Sequence, residues 1–308
     1  MKIVIQSALG APSVLSLTDA PLPDPGPGEV RIRVAAAGVN PVDAAVRAGA
    51  FPLLGDPPFT LGWDAAGIVD AVGPGVVDVM PGDAVTGLLR FPDEARAYAE
   101  AVTAPADQLI PWPVGLSAAE AGALPLAGLT AWQALHRAGI AAGQRVLIHG
   151  GTGGVGHLAV QVAAALGAVV HATASADRLD AARGYGAARA IDYATEEFRT
   201  HGPYDLILDT RGGDHVLRSM DALAPGGTVV SLLPLPDGAA DRARAEGVRA
   251  LDVMVAPDAV GLAALADLIA GGHLAVTVAE TFPLGDAARA HDRLAAAGFA
   301  GKLALVTG

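Results

Sequence analysis

Five residues between positions 151 and 156 have the composition of a phosphate-binding turn. They are Gly151, Gly153, Gly154, Val155 and Gly156. An apolar stretch at 146–148 precedes this G-x-G-x-x-G spacing and another continues to position 166, which predicts a strand, a turn and a helix. In such a unit the glycines allow a tight turn and the close approach of a pyrophosphate, and the helix start supplies N–H donors. The pattern predicts a dinucleotide site, with a glycine-rich loop of another α/β fold as the alternative.

The residues at the end of the next strand indicate which dinucleotide is bound. Sites that prefer NAD usually place a carboxylate there, whereas this chain has Ala174 and Ser175, followed by Arg178. A hydroxyl and a guanidinium suit the 2′-phosphate of NADPH, which is therefore the predicted cofactor. We interpret Asp177 as a first-turn helix residue that points away from the ribose. If it points inward, NADPH is disfavoured, and Arg178 as a solvated surface arginine is the alternative to a phosphate ligand.

The elements that must hold these residues alternate as strand and helix. Strands are predicted at 144–149, 168–173, 190–192, 205–209 and 227–233, and helices at 155–166, 177–184 and 214–223. This order is typical of a parallel, doubly wound sheet.

The two ends of the chain have a different pattern, with short strands between Gly/Pro turns. Strands are predicted at 1–9, 30–34, 66–72 and 83–88, and later at 274–279 and 302–306 around a helix at 286–297. The predicted domains are a barrel-like domain at 1–115, completed by 274–308, and a dinucleotide domain at 116–273. A capping box from Ser117 to Glu120 is predicted to start the first helix after position 115.

Charge and composition exclude several other classes of protein. The 308 residues carry a net charge of −12, and the 20 basic residues form no block, which argues against nucleic acid or an anionic membrane as partner. Without cysteine there are no disulfides, thiolate metal sites or cysteine nucleophile. The chain lacks a signal-peptide pattern and a run of about 18 apolar residues, so we expect a soluble cytoplasmic protein whose partner is a small molecule.

Several segments together resemble the zinc-free medium-chain dehydrogenase/reductases, in the branch of the NADPH quinone oxidoreductases. They are 36–43 (AAGVNPVD), 61–67 (LGWDAAG), 123–132 (ALPLAGLTAW), the glycine turn, 209–213 (DTRGG), 282–284 (FPL) and 301–302 (GK). The resemblance implies an α/β protein with a GroES-like β-barrel catalytic domain and a Rossmann doubly wound parallel-sheet cofactor domain. It also implies an active site in the cleft between them and a homodimer.

The zinc-dependent members of this family carry metal ligands that this chain lacks. Their cysteine ligand corresponds to Asn40, and their His-Glu pair to Trp63 and Asp64. None of the eight histidines forms a close pair with ligand spacing, so no metal is expected. Without a Lewis acid, alcohol oxidation loses its usual means of stabilising an alkoxide, whereas reduction of an electron-poor acceptor stays feasible.

The resemblance also assigns roles to single residues. Asn40 is expected beside the nicotinamide and the substrate carbonyl as the catalytic hydrogen-bond donor, with Phe51 and Trp63 lining the substrate. Beyond the glycine turn, cofactor contacts are expected from Asn40, Thr130, Ala174, Ser175, Arg178, Tyr193, Leu233 and Lys302. Simpler interpretations are a turn residue at Asn40, a backbone-bonded Thr130 and an exposed aromatic at Tyr193.

Phe51 decides which reaction the resemblance favours. Enoyl-reducing and some quinone-reducing relatives carry a tyrosine at the corresponding position, which the enoyl reductases use as proton donor. Phenylalanine cannot donate a proton, which weakens the enoyl reductase interpretation. We therefore predict NADPH-dependent hydride transfer to a quinone or a similar electron-poor carbonyl, with Asn40 hydrogen-bonding the developing oxyanion. The alternatives are an NADPH-dependent enone or enoyl double-bond reductase and a non-catalytic NADPH-binding redox sensor. A zinc alcohol dehydrogenase is opposed by the missing ligands.

Overall fold

Strands and short helices alternate along most of the chain, and the computed structural model describes residues 1–308. The strands are β1 (Lys2–Gln6), β2 (Leu15–Asp19), β3 (Glu29–Val39), β4 (Asp64–Val72), β5 (Ala84–Leu88), β6 (Ala101–Pro105), β7 (Leu109–Pro111), β8 (Arg145–Ile148), β9 (Val169–Ala174), β10 (Arg189–Asp192), β11 (Tyr204–Asp209), β12 (Leu223–Ser231), β13 (Arg249–Asp252), β14 (Val278–Pro283) and β15 (Lys302–Val306). The helices are α1 (Pro41–Ala48), α2 (Ala118–Ala123), α3 (Pro125–Ala138), α4 (Gly156–Ala165), α5 (Leu179–Gly184), α6 (Asp214–Met220), α7 (Ala239–Glu246), α8 (Ala259–Ala270) and α9 (Ala287–Ala296).

The chain folds into two compact units. The first unit comprises Met1–Leu129, Ala256–Ala270 and Val276–Gly308, and the second comprises Thr130–Val255 and Gly271–Ala275. These units differ from the predicted domain bounds in two main places, because 116–129 and 256–270 pack with the first unit. The predicted domain at 1–115 plus 274–308 did not include them, because a helical sequence does not indicate which domain the helix packs against.

A mostly antiparallel sheet forms the body of the first unit. Its strand order is β14-β15-β3-β4-β5-β7, and β6 pairs with β3 on the edge opposite β4. The long β3 holds this sheet together because its alternating Val30, Ile32 and Val34 are buried. On its other face Arg31 donates from Nε to Asp70 Oδ1 at 2.7 Å. The separate pair β1 and β2 is antiparallel.

The second unit is built on a parallel sheet of six strands. The order is β10-β9-β8-β11-β12-β13, and every pair in it is parallel. Leu147, Ile207 and Val229, from three adjacent strands, are fully buried, as expected when helices cover both faces. The strand order proceeds outward from β8 in one direction and from β11 in the other, so the sheet has a topological switch point between these two strands. Ligands of such sheets bind at this point, beyond the carboxyl ends of the strands. The predicted α/β fold class, with a doubly wound parallel sheet, is confirmed.

Most predicted elements differ from the observed ones by only a few residues, with one clear exception. The strand predicted at 274–279 is only partly present, because β14 begins at Val278 and residues 274–277 are outside it. Leu274 and Val276 are buried there, so their alternation reflects packing rather than sheet pairing. None of the helices is both long and apolar enough to cross a membrane.

Candidate functional site

The glycine turn lies at the carboxyl end of β8, in the second unit. β8 ends at Ile148 and α4 begins at Gly156, so the predicted strand, turn and helix are all present. A Cβ on Gly156 would lie 2.0 Å from the Gly150 carbonyl oxygen, a distance that no side chain tolerates. Glycine is therefore required where the start of α4 approaches the end of β8. The helix start is the position at which free N–H groups and the helix dipole favour phosphate.

The structure brings four predicted cofactor residues together at the end of β9. The Tyr193 backbone N–H donates to the Ala174 carbonyl at 3.2 Å, so the residue after β10 lies beside the last residue of β9. Ser175 and Arg178 follow in the next turn. The Tyr193 ring is 63% exposed, which leaves its face open to a planar ligand. A hydroxyl, a guanidinium and an exposed ring fit a phosphorylated adenosine ribose.

Asp177 does not point away from this group, which corrects the sequence-based interpretation. Ser175 Oγ donates to Asp177 Oδ1 at 2.5 Å, and Arg178 Nη2 lies 3.5 Å from Asp177 Oδ2. The Ser175 hydrogen bond, together with the Arg178 charge, lowers the pKa of Asp177. The carboxylate thus contacts both side chains that we assigned to a 2′-phosphate, because a short acidic side chain two residues after Ser175 can accept a bond from its hydroxyl.

Four buried polar side chains lie together in the first unit, and we call them the Asn40 cluster: Asn40, Asp43, Asp64 and Lys302. Asn40 Nδ2 donates to Asp64 Oδ2 at 2.9 Å. Lys302 Nζ donates to Asn40 Oδ1 and, at 3.3 Å, to the Val39 carbonyl. Asp43 accepts the Asn40 backbone N–H at 2.7 Å and so caps α1. The Asn40 amide is therefore held at both ends.

Backbone packing makes room for the Asp64 carboxylate in this cluster. A Cβ on Gly38 would lie 2.4 Å from Asp64 Oδ2, so only glycine fits beside it on β3. The other carboxylate oxygen, Oδ1, accepts the Leu126 backbone N–H at 2.6 Å. Both oxygens of Asp64 are thus hydrogen-bonded, as a buried carboxylate requires.

Burial dominates the electrostatics of the Asn40 cluster. Burial raises the pKa of Asp43 to about 7, with a further contribution from the nearby Asp64 charge. Burial also raises the pKa of Asp64 to about 6, although the Lys302 ammonium and the Asn40 amide oppose this. The pKa of Lys302 is lowered by burial, while Asp64 and Asp43 act against the change. Two carboxyl groups and one ammonium are closest to charge balance when Asp43 holds a proton.

A second set of buried polar groups adjoins the Asn40 cluster and was not predicted from the sequence. Tyr98 Oη lies 3.2 Å from His291 Nε2, and Arg47 Nη1 lies 3.0 Å from His291 Nδ1. The Asp43 charge raises the pKa of Tyr98, after burial itself. Asp43 Oδ1 has no hydrogen-bond partner. The only signal in the sequence was the placement of these polar residues within apolar stretches, which does not reveal their partners.

Comparison with known proteins identifies the family. The family models for an alcohol dehydrogenase GroES-like domain and for a zinc-binding dehydrogenase match residues 26–114 and 185–305. The 2-haloacrylate reductase of Burkholderia sp is 34% identical over 309 residues, which cover 92% of each chain. The chain belongs to the medium-chain dehydrogenase/reductase family.

Solved structures agree with this assignment. The quinone oxidoreductase from Coxiella burnetii has a TM-score of 0.92 at 35% identity, with 100% of this chain and 99% of that chain covered. The Escherichia coli quinone oxidoreductase complexed with NADPH has a TM-score of 0.89 at 28% identity, with 99% and 100% covered. This dehydrogenase/reductase is therefore an oxidoreductase whose structural neighbours include the quinone oxidoreductase branch.

Not every predicted site residue of this dehydrogenase/reductase lies where the sequence suggested. The Trp63 indole is fully buried, donates from Nε1 to the Asp93 carbonyl at 2.7 Å, and packs edge-on against Phe91. Its predicted place on a substrate wall is corrected, because the ring packs against Phe91 and its one polar atom is already bonded to Asp93. Phe51 follows α1 whereas Asn40 precedes it, so the helix separates them by about 12 Å along its axis.

Two other predicted cofactor residues belong to the second unit. Thr130 is buried in α3. Leu233 follows β12 and is 48% exposed, and its backbone N–H donates to Ser231 Oγ at 3.1 Å. Their assignment to a cofactor remains a prediction.

Proposed function

We propose that this dehydrogenase/reductase transfers hydride from NADPH to a quinone or a similar electron-poor carbonyl acceptor, without a catalytic zinc. The observation that carries the proposal is the arrangement of the second unit. The glycine turn at the end of β8 and the group Ala174, Ser175, Arg178 and Tyr193 at the end of β9 lie on adjacent strands. NADPH in the solved Escherichia coli relative supports the choice of dinucleotide.

The residues present fit this cofactor. The start of α4 would hold the pyrophosphate, and Ser175 with Arg178 would bind the 2′-phosphate in exchange for Asp177. A doubly charged phosphate competes for this place more strongly than a single carboxylate does. When bound, NADPH supplies the hydride.

Asn40 is the residue that we propose to act on the acceptor. Its amide carries two N–H bonds, of which Asp64 accepts one. The second would donate to the oxygen on which negative charge develops as the acceptor is reduced. Lys302 and Asp64 fix the amide plane, so the donor needs no reorientation during the reaction. The developing hydroquinone oxygens would take their protons from water.

The donor set supports the proposed zinc independence. Asn40 and the fully buried Trp63 replace two ligand positions of zinc-dependent relatives, and the chain has no cysteine. The remaining carboxylate, Asp64, already accepts hydrogen bonds from the Asn40 amide and the Leu126 backbone N–H, and the Lys302 ammonium balances its charge. Such a group fits an amide and an ammonium better than a metal ion.

The test measures NADPH oxidation with a simple quinone in wild type and in Asn40→Ala. We expect turnover to fall about 10- to 1,000-fold, because one oxyanion donor is lost, while the NADPH dissociation constant changes less than about threefold. Thermal unfolding checks that the variant is folded. An equal loss of NADPH affinity and turnover would show that Asn40 serves the cofactor rather than the acceptor.

A second candidate is reduction of an activated carbon–carbon double bond. The observation that favours it is the 34% identity to 2-haloacrylate reductase over nearly the whole chain. Parallel assays with a quinone, a cyclic enone and a 2-haloacrylate separate the two reactions. NADPH binding without oxidation by any of these acceptors would instead support a redox sensor.

A further inference from the structure

Two histidines and an aspartate meet in the second unit although they are distant in sequence. His149 directly follows β8, Asp209 ends the adjacent β11, and His215 lies in the first turn of α6. One ligand atom from each residue lies within 4.8 Å of the other two. The sequence offered no sign of this group, because no two histidines have ligand spacing along the chain.

The carboxylate of this group is already oriented toward the two imidazoles. Asp209 Oδ1 accepts the backbone N–H groups of Arg211 and Gly212 at 2.7 and 2.8 Å. This leaves Oδ2 directed at His215 Nδ1, which lies 2.6 Å away. The carboxylate is fully buried, whereas the His215 side chain is 25% exposed. An ion could therefore reach the group past His215.

His149 has an equally defined orientation. Its Nε2 lies 3.2 Å from Ser219 Oγ, and the acceptors within reach of that hydroxyl are the His215 carbonyl at 2.9 Å and Asp209 Oδ2 at 3.2 Å. Its Nδ1 lies 3.4 Å from Thr173 Oγ1. An ion would select the tautomer whose proton is on Nδ1, where Thr173 Oγ1 can accept it, and this leaves the Nε2 lone pair for the ion. This is the usual support for a metal-binding histidine, in which the second nitrogen donates to an oxygen.

We propose that His149, Asp209 and His215 form a binding site for a divalent transition-metal ion such as Zn²⁺. The ion would bind His149 Nε2, Asp209 Oδ2 and His215 Nδ1, with water as the fourth ligand. His215 would move its proton from Nδ1 to the solvent-facing Nε2, so no proton leaves the imidazole. Two imidazoles and one carboxylate are ligands that suit zinc or nickel and not calcium or magnesium.

The surrounding charges set the expected strength of this site. Arg211 and Arg218 both act electrostatically on His149 and oppose a cation there. Glu197 pairs with Arg218 at 3.2 Å and offsets part of that charge. We therefore expect a dissociation constant on the order of micromolar, weaker than that of a structural zinc site.

The test is a calorimetric titration of tag-free, EDTA-treated protein with ZnCl2. One ion should bind per chain, and Co²⁺ should give the visible absorption bands of a tetrahedral site. His215→Gln, at the most exposed ligand, should weaken binding at least tenfold. His273→Gln is the matched control, because His273 is exposed and outside the group, and it should bind like wild type.

Two outcomes would overturn the proposal: no zinc binding by the wild type, or equal binding by His215→Gln and wild type. Should His215→Gln fail to fold, His149→Gln provides a second ligand variant with the same expected loss. Neither outcome bears on the proposed reduction, because the zinc titration is done without nucleotide or acceptor.

Discussion

Asp177 shows how one carboxylate can tune the choice between two nucleotides. It is bonded to Ser175 and pairs with Arg178, the residues that we assign to the 2′-phosphate of NADPH. NADPH binding must replace these contacts, whereas NADH, which has a 2′-hydroxyl there, could use the carboxylate as an acceptor. The residue should therefore weaken NADPH binding relative to what the serine and arginine alone would give.

Asp177→Asn should strengthen NADPH binding by roughly 3- to 10-fold and leave NADH binding unchanged or weaker. Fluorescence titration with both nucleotides measures this ratio. Asp180→Asn is the control, because Asp180 pairs with Arg183 on the exposed face of α5 and should not alter either affinity. An equal gain for both nucleotides would indicate a general charge effect and not recognition of the 2′-phosphate.

The two lysines of the chain occupy opposite environments and give a matched pair of variants. Lys302 is buried in the Asn40 cluster, whereas Lys2 forms a surface pair with Asp19. Lys302→Met leaves Asp43 and Asp64 without a cation, so the free energy of unfolding should fall by about 3 to 5 kcal/mol. Lys2→Met should change it little, because surface pairs contribute little. Urea unfolding at neutral pH compares the two, and similar losses would refute a charge-balancing role for Lys302.

At the scale of elements, the contact between β8 and α4 depends on Gly156. An alanine Cβ there would lie 2.0 Å from the Gly150 carbonyl oxygen, so Gly156→Ala must displace α4 or the turn. We expect a loss of about 2 kcal/mol or more in the free energy of unfolding and at least a tenfold loss of NADPH affinity.

Gly184→Ala is the control, since a Cβ at that helical position meets nothing within 4 Å. It should be neutral or slightly stabilising. Normal NADPH affinity in Gly156→Ala would show that the turn does not bind the dinucleotide.

The sequence was most informative where an element has one clear period. β8, β9 and β11 were predicted within a residue or two, because buried parallel strands are short apolar runs between turns. The Asn40–Pro41 pair was considered as a turn, and it is in fact the start of α1, where proline at the first helical position is well tolerated. Trp63 was placed by the family resemblance alone, which does not reveal that in this chain the ring packs against Phe91.

The candidate sites could be predicted where their residues are close in sequence and not where strand pairing brings distant residues together. The glycine turn and the Ser175–Arg178 group could be predicted, since their residues are close in sequence and tied to one βαβ unit. Asp43, Asp64 and Lys302 could not be joined, because their contacts depend on how β3, β4 and β15 pair. The same is true of His149, Asp209 and His215, which adjacent strands bring together.

For the whole molecule, buried ionisable groups make stability depend on pH in opposite directions. The pKa of Asp43 is raised from 3.8 to about 7, so the folded chain keeps a proton that the unfolded chain releases in this range. Its contribution to the free energy of unfolding therefore falls as pH rises from about 4 to 7. His291 acts in the other direction, because burial and the Arg47 charge lower its pKa from 6.5 to about 3.

Asp43→Asn removes the Asp43 contribution to this pH dependence and leaves that of His291. Relative to wild type, the variant should gain on the order of 2 to 4 kcal/mol in the free energy of unfolding between pH 4 and pH 7. Urea unfolding at several pH values gives this difference, and exposed Asp56→Asn should run parallel to wild type throughout. Parallel curves for Asp43→Asn would mean that Asp43 titrates alike in the folded and unfolded chains.

The homodimer implied by the family resemblance is a separate prediction, which light scattering would check.

The burial of Lys302 also determines where amine-reactive reagents can modify the folded protein. The Lys2 side chain is 47% exposed and next to the N-terminal amine, whereas Lys302 is 3% exposed. Acylation should thus be confined to one end of β1, so that coupling to an activated support would present every molecule in the same orientation. An adduct at Lys302, detected by mass spectrometry of tryptic peptides, would then report the fraction of molecules in which the first unit has opened.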